Sequence, residues 1–211
     1  MKLSDVICNI NESYVLSDGE FTSMGLAVSK CDEKLLSFIV SDKYINDIQD
    51  NIDCLITTKE IGEKLKDKYG IIISNNPRVD YFKLHNRLAN DINYTRTKYE
   101  TSIGANCIIS NTASISTNNV TIGNNVVIED FVIIRENTII GDNSIIRSGC
   151  ILGGEGYEFK RVDKRIMNVI HLGGVVIGEN VEVQYNSCID KKYCFYTNIR
   201  NIIEIKSYKQ W

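Results

Sequence analysis

Residues 35–90 alternate short apolar runs with segments of helical periodicity. Residues 35–40, 53–57 and 70–74 are brief and rich in Ile, Leu and Val, which predicts buried strands. Between them Ile61, Leu65 and Tyr69 recur at i, i+4 and i+8, one face of a helix, and Thr57 with Glu60 reads as a capping box at its start. Pro77, the only proline, follows Asn75 and Asn76 in a position suited to the first turn of another helix running to Leu88. The alternation predicts a small α/β domain.

From Tyr99 onward the period becomes six. Ile122, Ile128, Ile134, Ile140, Ile146 and Leu152 stand six apart, and four residues after the first five come Val126, Val132, Thr138, Ser144 and Cys150, all small. Ile103, Ile109 and Ile115 form an earlier run with Cys107 and Ala113 in the small position, and the phase returns at Ile177, Val183 and Ile189. Such spacing describes a coil with short flat faces, each pointing one aliphatic side chain inward beside a small residue at the corner, so that every coil covers its neighbour. An alternating β-sandwich would show period two instead. Gly104, Gly123, Asn124, Asn125, Gly141, Asn143, Gly178 and Asn180 supply corner residues tolerant of left-handed backbone. Three faces per coil and about twelve hexads predict about four coils.

Composition narrows the function classes. A net charge of −3 gives no global attraction to nucleic acid or anionic membrane, so any basic site is local. Cys8, Cys31, Cys54, Cys107, Cys150, Cys188 and Cys194 are scattered without a CxxC pair, which suits reduced thiols in a cytoplasmic protein better than a disulfide framework or a zinc site. No apolar stretch approaches the roughly 20 residues of a membrane span. Only His85 and His171 are present, one of them within the hexads, whereas a hexapeptide carbonic anhydrase needs three zinc-binding histidines.

Solenoids of this composition are similar to the left-handed β-helix transferases, which form trimers. A more specific likeness lies in Gly153-Gly154-Glu155-Gly156-Tyr157-Glu158-Phe159, then a polar excursion, then His171-Leu172-Gly173-Gly174-Val175-Val176-Ile177-Gly178, and finally Cys188-Ile189-Asp190-Lys191. That order resembles the UDP-3-O-acylglucosamine N-acyltransferase family, in which a glycine-aromatic loop breaks out of the helix before the prism resumes. Met1-Lys2-Leu3-Ser4 and residues 36–44 agree with the same family, so the resemblance covers most of residues 1–191. The expected architecture is a small α/β uridine-nucleotide-binding domain over residues 1–98, followed by a left-handed parallel β-helix over 99–191. An excursion loop interrupts the helix at 153–174, and an irregular tail occupies 192–211.

The resemblance implies transfer of a hydroxyacyl chain from acyl carrier protein to the 2-amino group of UDP-3-O-acylglucosamine, as in lipid A biosynthesis, by a homotrimer with no cofactor and no metal. It places Phe38 and Tyr44 on the two faces of uracil, with Ser41 where the family has asparagine, and adds Gly154, Tyr157, Phe159 and Asp190 as substrate-binding positions. An amine acceptor needs a general base, which histidine supplies near neutral pH. The family's base lies in a segment beyond Asp190 that this sequence does not show, so little activity is expected from the chain as given. His171 matches a structural position and is a poor candidate for the base, and His85 reads as a surface or packing residue. Two alternatives remain: an acetyl-CoA-dependent sugar acetyltransferase with His171 as base, and an inactive module that binds a UDP-sugar or forms heterotrimers. An acidic carrier calls for a basic docking surface, for which Arg135, Arg147, Lys160, Arg161, Lys164 and Arg165 are available. In the tail, Tyr193, Phe195, Ile199 and Ile202 are expected to cap the prism.

Overall fold

The computed structural model describes residues 1–7, 12–91, 94–162, 164–192, 194 and 196–199. It divides into two compact units: Met1–Thr95 with Glu158–Ile170, and residues 96–157 with those from His171 onward.

The first unit starts with helix α1 (Leu3–Val6) and strands β1 (Tyr14–Ser17) and β2 (Ser23–Met24). Next come β3 (Leu35–Phe38), a 3-10 turn (Asp42–Asp47), β4 (Ile52–Thr57), α2 (Lys59–Leu65), β5 (Gly70–Ile73) and α3 (Pro77–Leu88). The sheet order is β1-β5-β4-β3-β2, parallel except for β1, which runs antiparallel to β5. The strands predicted from apolar runs are the sheet's inner strands, where β5 is buried at every position, and burial on both faces is why they read as continuous runs. Strands β1 and β2, too short and too polar to show a period, were not anticipated. Asn76 caps α3, its Oδ1 accepting from the Val79 amide at 3.4 Å, with Pro77 in the first turn. The capping box does not form. Thr57 is buried in β4 and its hydroxyl donates to the Ile39 carbonyl at 2.9 Å, while Thr58 stands at the N-cap of α2.

The second unit is the left-handed β-helix. Its first three coils are β6 (Ser102–Ile103), β7 (Ile108–Ile109), β8 (Ser114–Ile115); β9 (Val120–Ile122), β10 (Val127–Ile128), β11 (Ile133–Ile134); and β12 (Thr138–Ile140), β13 (Ile145–Ile146), β14 (Ile151–Gly154). After β14 the chain forms an antiparallel hairpin, β15 (Phe159–Val162) and β16 (Arg165–Asn168), which packs within the α/β unit and not with the coils. A fourth coil follows as β17 (Gly174–Ile177), β18 (Glu182–Val183) and β19 (Cys188–Asp190), and β20 (Tyr196–Ile199) pairs in parallel with β17. The predicted number of coils is present, and the segment expected to be irregular opens a fifth. Hexad counting lost it because ten residues, not six, separate Ile189 from Ile199, the partner of Ile177. Ile199 packs against the prism interior, while Tyr193, Phe195 and Ile202 lie outside the described residues.

Every aliphatic hexad position from Ile122 to Leu152 is buried, and so are the small residues Val126, Val132, Thr138, Ser144 and Cys150. The corners divide their labour differently from expectation. Asn125, Asn143 and Asn180 do take positive φ, together with Asn106, Asn119, Asn137 and Asn186. Gly104 and Gly141 do not need it; a Cβ at either would press into the backbone of the coil above, at Gly123 or at Gly178 and Glu179. Asparagine side chains also stack between coils, Asn125 Nδ2 donating to Asn143 Oδ1 at 3.0 Å and Asn119 Nδ2 to Asn137 Oδ1 at 3.2 Å. Among the described residues, no helix is long and apolar enough to cross a membrane.

Candidate functional site

In the α/β unit a cavity of about 210 Å³ opens beside the end of β3. Phe38 and Tyr44 both line it, with Leu26, Val28 and Val40 completing an apolar wall and Asp47 contributing a carboxylate. The local fold accounts for the pairing. Phe38 ends a parallel strand, and the 3-10 turn that follows brings Tyr44 back across the strand's end. Behind Phe38 stand Tyr81 and Phe82 of α3, with ring centroids at 4.9 Å and 6.0 Å, which fix its plane. Tyr44 is 42% exposed and carries the Lys43 ammonium 4.7 Å from its ring centroid. Ser41 stands outside the wall, at the start of the turn, where its carbonyl accepts from the Tyr44 amide at 3.2 Å. A flat apolar cleft with two aromatic rings suits a planar heterocycle, since face contacts add to simple burial. Sequence reasoning missed Leu26, Val28 and Val40; their only signal is that they are aliphatic residues exposed next to strand ends.

The remaining expected positions fall at a corner of the prism, apart from Phe159, which lies on the hairpin of the first unit. Gly153 has φ +81°, and Gly154 abuts Asp190 so closely that a Cβ there would overlap the carboxylate. The Lys191 amide donates to the Gly154 carbonyl at 3.1 Å and its ammonium pairs with Glu155 at 2.7 Å. Gly156 lies flat on the His171 imidazole, where any side chain would collide, so His171 is buried as a support for the glycine loop. Tyr157 is 90% exposed. A groove of about 530 Å³ runs beside this corner between Ser114, Ile133, Arg135, Glu155 and Lys191.

Titratable chemistry at these places is limited. His85 is fully buried, its Nε2 2.8 Å from the Ile170 carbonyl and its Nδ1 3.4 Å from the Tyr94 hydroxyl. Both ring nitrogens are thus occupied. The Cys188 thiol donates toward Asp190 at 3.4 Å, and burial together with that carboxylate pushes its pKa up, away from a thiolate. Burial pushes the Cys54 thiol up to about 12. Cys31, Cys54, Cys107, Cys150 and Cys188 are free thiols, and Cys8 lies outside the described residues. No group of three His, Cys, Asp or Glu side chains among the described residues is arranged to hold a metal ion. Of the basic residues considered for docking, Arg147 is spent: it bridges Glu129 and Glu182, each at 2.6 Å. Arg147 and the Ser148 amide and hydroxyl hold the Glu129 carboxyl below its ordinary value.

A family profile described as bacterial transferase hexapeptide (six repeats) matches residues 119–154. That stretch runs through the second and third coils. The chain is similar to UDP-3-O-acylglucosamine N-acyltransferase of Pseudomonas syringae pv. syringae, 42% identical over 60 residues, which make up 28% of this chain and 17% of the relative. It is also similar to the proteins of that name from Xylella fastidiosa (strain 9a5c), 44% identical over 43 residues, and Pseudomonas savastanoi pv. phaseolicola, 36% identical over 59 residues. These two matches take in 20% of the chain and 13% of the first relative, and 28% of the chain and 17% of the second. The chain therefore matches less than a fifth of the length of these curated relatives.

Proposed function

We propose that this chain is a sugar-nucleotide acyltransferase whose α/β unit, residues 1–98 by sequence, holds the uridine of a UDP-3-O-acylglucosamine acceptor between Phe38 and Tyr44. The acyl donor is a hydroxyacyl chain on acyl carrier protein, and the reaction belongs to the lipid A type. The observation that carries this reading is the convergence of Phe38 and Tyr44 on one apolar cavity, the two aromatics that the sequence resemblance assigns to the faces of uracil. Gly154, Tyr157 and Asp190 belong to the acceptor side of the same reading, and Phe159 joins them only as a residue of the hairpin. Self-association, as a trimer by resemblance, is supported by the outward stripe Ile108, Val127 and Ile145, which lie in register along one face.

A second reading, a UDP-sugar-binding module without turnover, is favoured by the two histidines. His171 is buried against Gly156 and His85 is bonded at both nitrogens, so neither is poised to take a proton from an amine. The same burial speaks against an acetyl-CoA-dependent enzyme with His171 as base.

Calorimetric titration of UDP-GlcNAc tests what the two readings share. Tyr44→Ala is expected to weaken binding by about 1–3 kcal/mol, the usual worth of one stacking face, and Phe38→Ala by at least as much because Tyr81 and Phe82 lose their neighbour. Equal affinities in wild type and Tyr44→Ala overturn the uridine assignment. Acyl transfer from acyl carrier protein by the bound chain then separates enzyme from binding module.

A further inference from the structure

The hairpin is strapped to one face of α3, where Phe82, His85 and Asn86 stand at i, i+3 and i+4. Asn86 takes both sides of the returning chain, its Nδ2 donating to the Asn168 carbonyl at 2.6 Å and its Oδ1 accepting from the Ile170 amide at 2.9 Å. His85 Nε2 lies 2.8 Å from the Ile170 carbonyl. Between these anchors Val169 is fully buried, and its amide donates to the Glu158 carbonyl at 3.0 Å, closing the base of the hairpin. Lys160 adds a contact of another kind. Its side chain is only 11% exposed, its ammonium pairs with Glu158, and that ammonium stands 4.3 Å from the ring centroid of Phe82. Register sets Met167 opposite Lys160 and both are half-buried, while the next pair, Arg161 and Ile166, is exposed.

Phe82 is where the strap meets the cleft. The ring is 2% exposed and lies edge-on to Tyr81 at 5.1 Å and 6.0 Å from Phe38, which is itself 4.9 Å from Tyr81. If the hairpin had only to fill space against α3, an apolar side chain of similar length would do so without taking a charge out of water. A cation over a ring does more, because the attraction acts on the ring's face and strengthens as the cation is desolvated. We propose that the hairpin positions the uridine cleft, with Lys160 as the positioning residue: it holds the Phe82 ring, and Phe82 with Tyr81 fixes the plane that Phe38 offers to the base. The inference deepens the proposed function and rests on its assignment of Phe38 to the nucleotide. Linkage makes the relation reciprocal: a base seated on Phe38 stabilises the strap by the same factor that the strap adds to its affinity.

The test uses the full chain as wild type, Lys160→Met, Lys160→Arg and Lys160→Met/Glu158→Gln, the last of which also removes the carboxylate that loses its partner. Calorimetric titration with UDP-GlcNAc, well below the melting temperature of each chain, is expected to show affinity about threefold to thirtyfold weaker in both Met variants. Lys160→Arg, whose guanidinium also rides on an aromatic face, should stay within about threefold of wild type. Hydrogen exchange gives a readout that a mere brace would not move. Saturating UDP-GlcNAc should slow exchange in β15 and β16 of wild type and leave it unchanged in Lys160→Met. Equal affinity in wild type and the Met variants, a loss that Lys160→Arg does not restore, or hairpin exchange indifferent to nucleotide in wild type overturns the inference. Should a Met variant fail to fold, the wild-type exchange experiment decides alone. Binding by wild type that the Met variants match sinks the strap and spares the uridine reading, whereas no binding by wild type sinks both.

Discussion

Phe21, Tyr81 and Phe82 fill the α/β unit with bulky rings drawn from a loop and a helix, around Leu and Ile from three strands. The solenoid interior instead repeats Val, Ile, Leu and Cys from coil to coil. An interior assembled from unlike pieces leaves irregular concavities at its margins, and the cavity walled by Phe38 and Tyr44 is one. The groove beside the coils is lined instead by the more polar set Ser114, Arg135, Glu155 and Lys191. A repeated interior turns the same geometry outward, as ruled faces on which Ile108, Val127 and Ile145 line up in register and Arg147 reaches Glu129 and Glu182 in the coils to either side. The apolar cleft of the proposed uridine site therefore belongs with the irregular unit, and repeated outward display with the regular one.

The largest expected effect separates the two interiors energetically. Ile146→Ala in the solenoid and Leu55→Ala in the sheet each empty a fully buried site and should cost about 2–5 kcal/mol. Hydrogen exchange is expected to rise around the substituted coil and its neighbours in the first variant, because coils are coupled to their neighbours, and across β3–β5 in the second. Acceleration spread equally over both units in either variant would break the comparison.

A smaller effect tests the corners. Asn143 holds φ +58° and accepts from Asn125 in the preceding coil, so Asn143→Ala should lose about 1–2 kcal/mol through left-handed strain and the missing ladder bond. Asn143→Gly, which keeps the backbone freedom, should recover part of that loss in denaturant melts. If both variants match wild type, the corners owe nothing to asparagine.

The smallest effect concerns the ruled exterior. Glu129 is held below its ordinary value of 4.5, first by the hydrogen bond from Arg147. A depressed carboxyl stabilises the fold above its unfolded-state value and loses that contribution as pH falls through the folded-state value. Thermal melts of wild type and Glu129→Gln should differ near pH 7 and converge in acid below 4.5. A difference that persists unchanged into acid would assign it to packing.

The solenoid was legible in the residue pattern alone. One inward aliphatic and one small residue per hexad is a local rule, and it predicted the buried set from Ile122 to Leu152 and again from Ile177 to Ile189. It likewise determined α3, whose Asn76 cap and Pro77 are neighbours in the chain. The resemblance pointed to Phe38 and Tyr44. Folding chose the partners that complete their cavity, because Leu26 and Val28 arrive from a loop after β2 with no periodic signal. It also decided that Arg147 is neutralised by carboxylates one coil to either side, that the hairpin joins the α/β unit, and that Ile199 pairs with Ile177 out of the hexad count. The physical reason is common to all four. A hexad period fixes which way a side chain points within its own coil, but which distant residue it meets depends on how coils and loops stack, and local spacing carries no record of that.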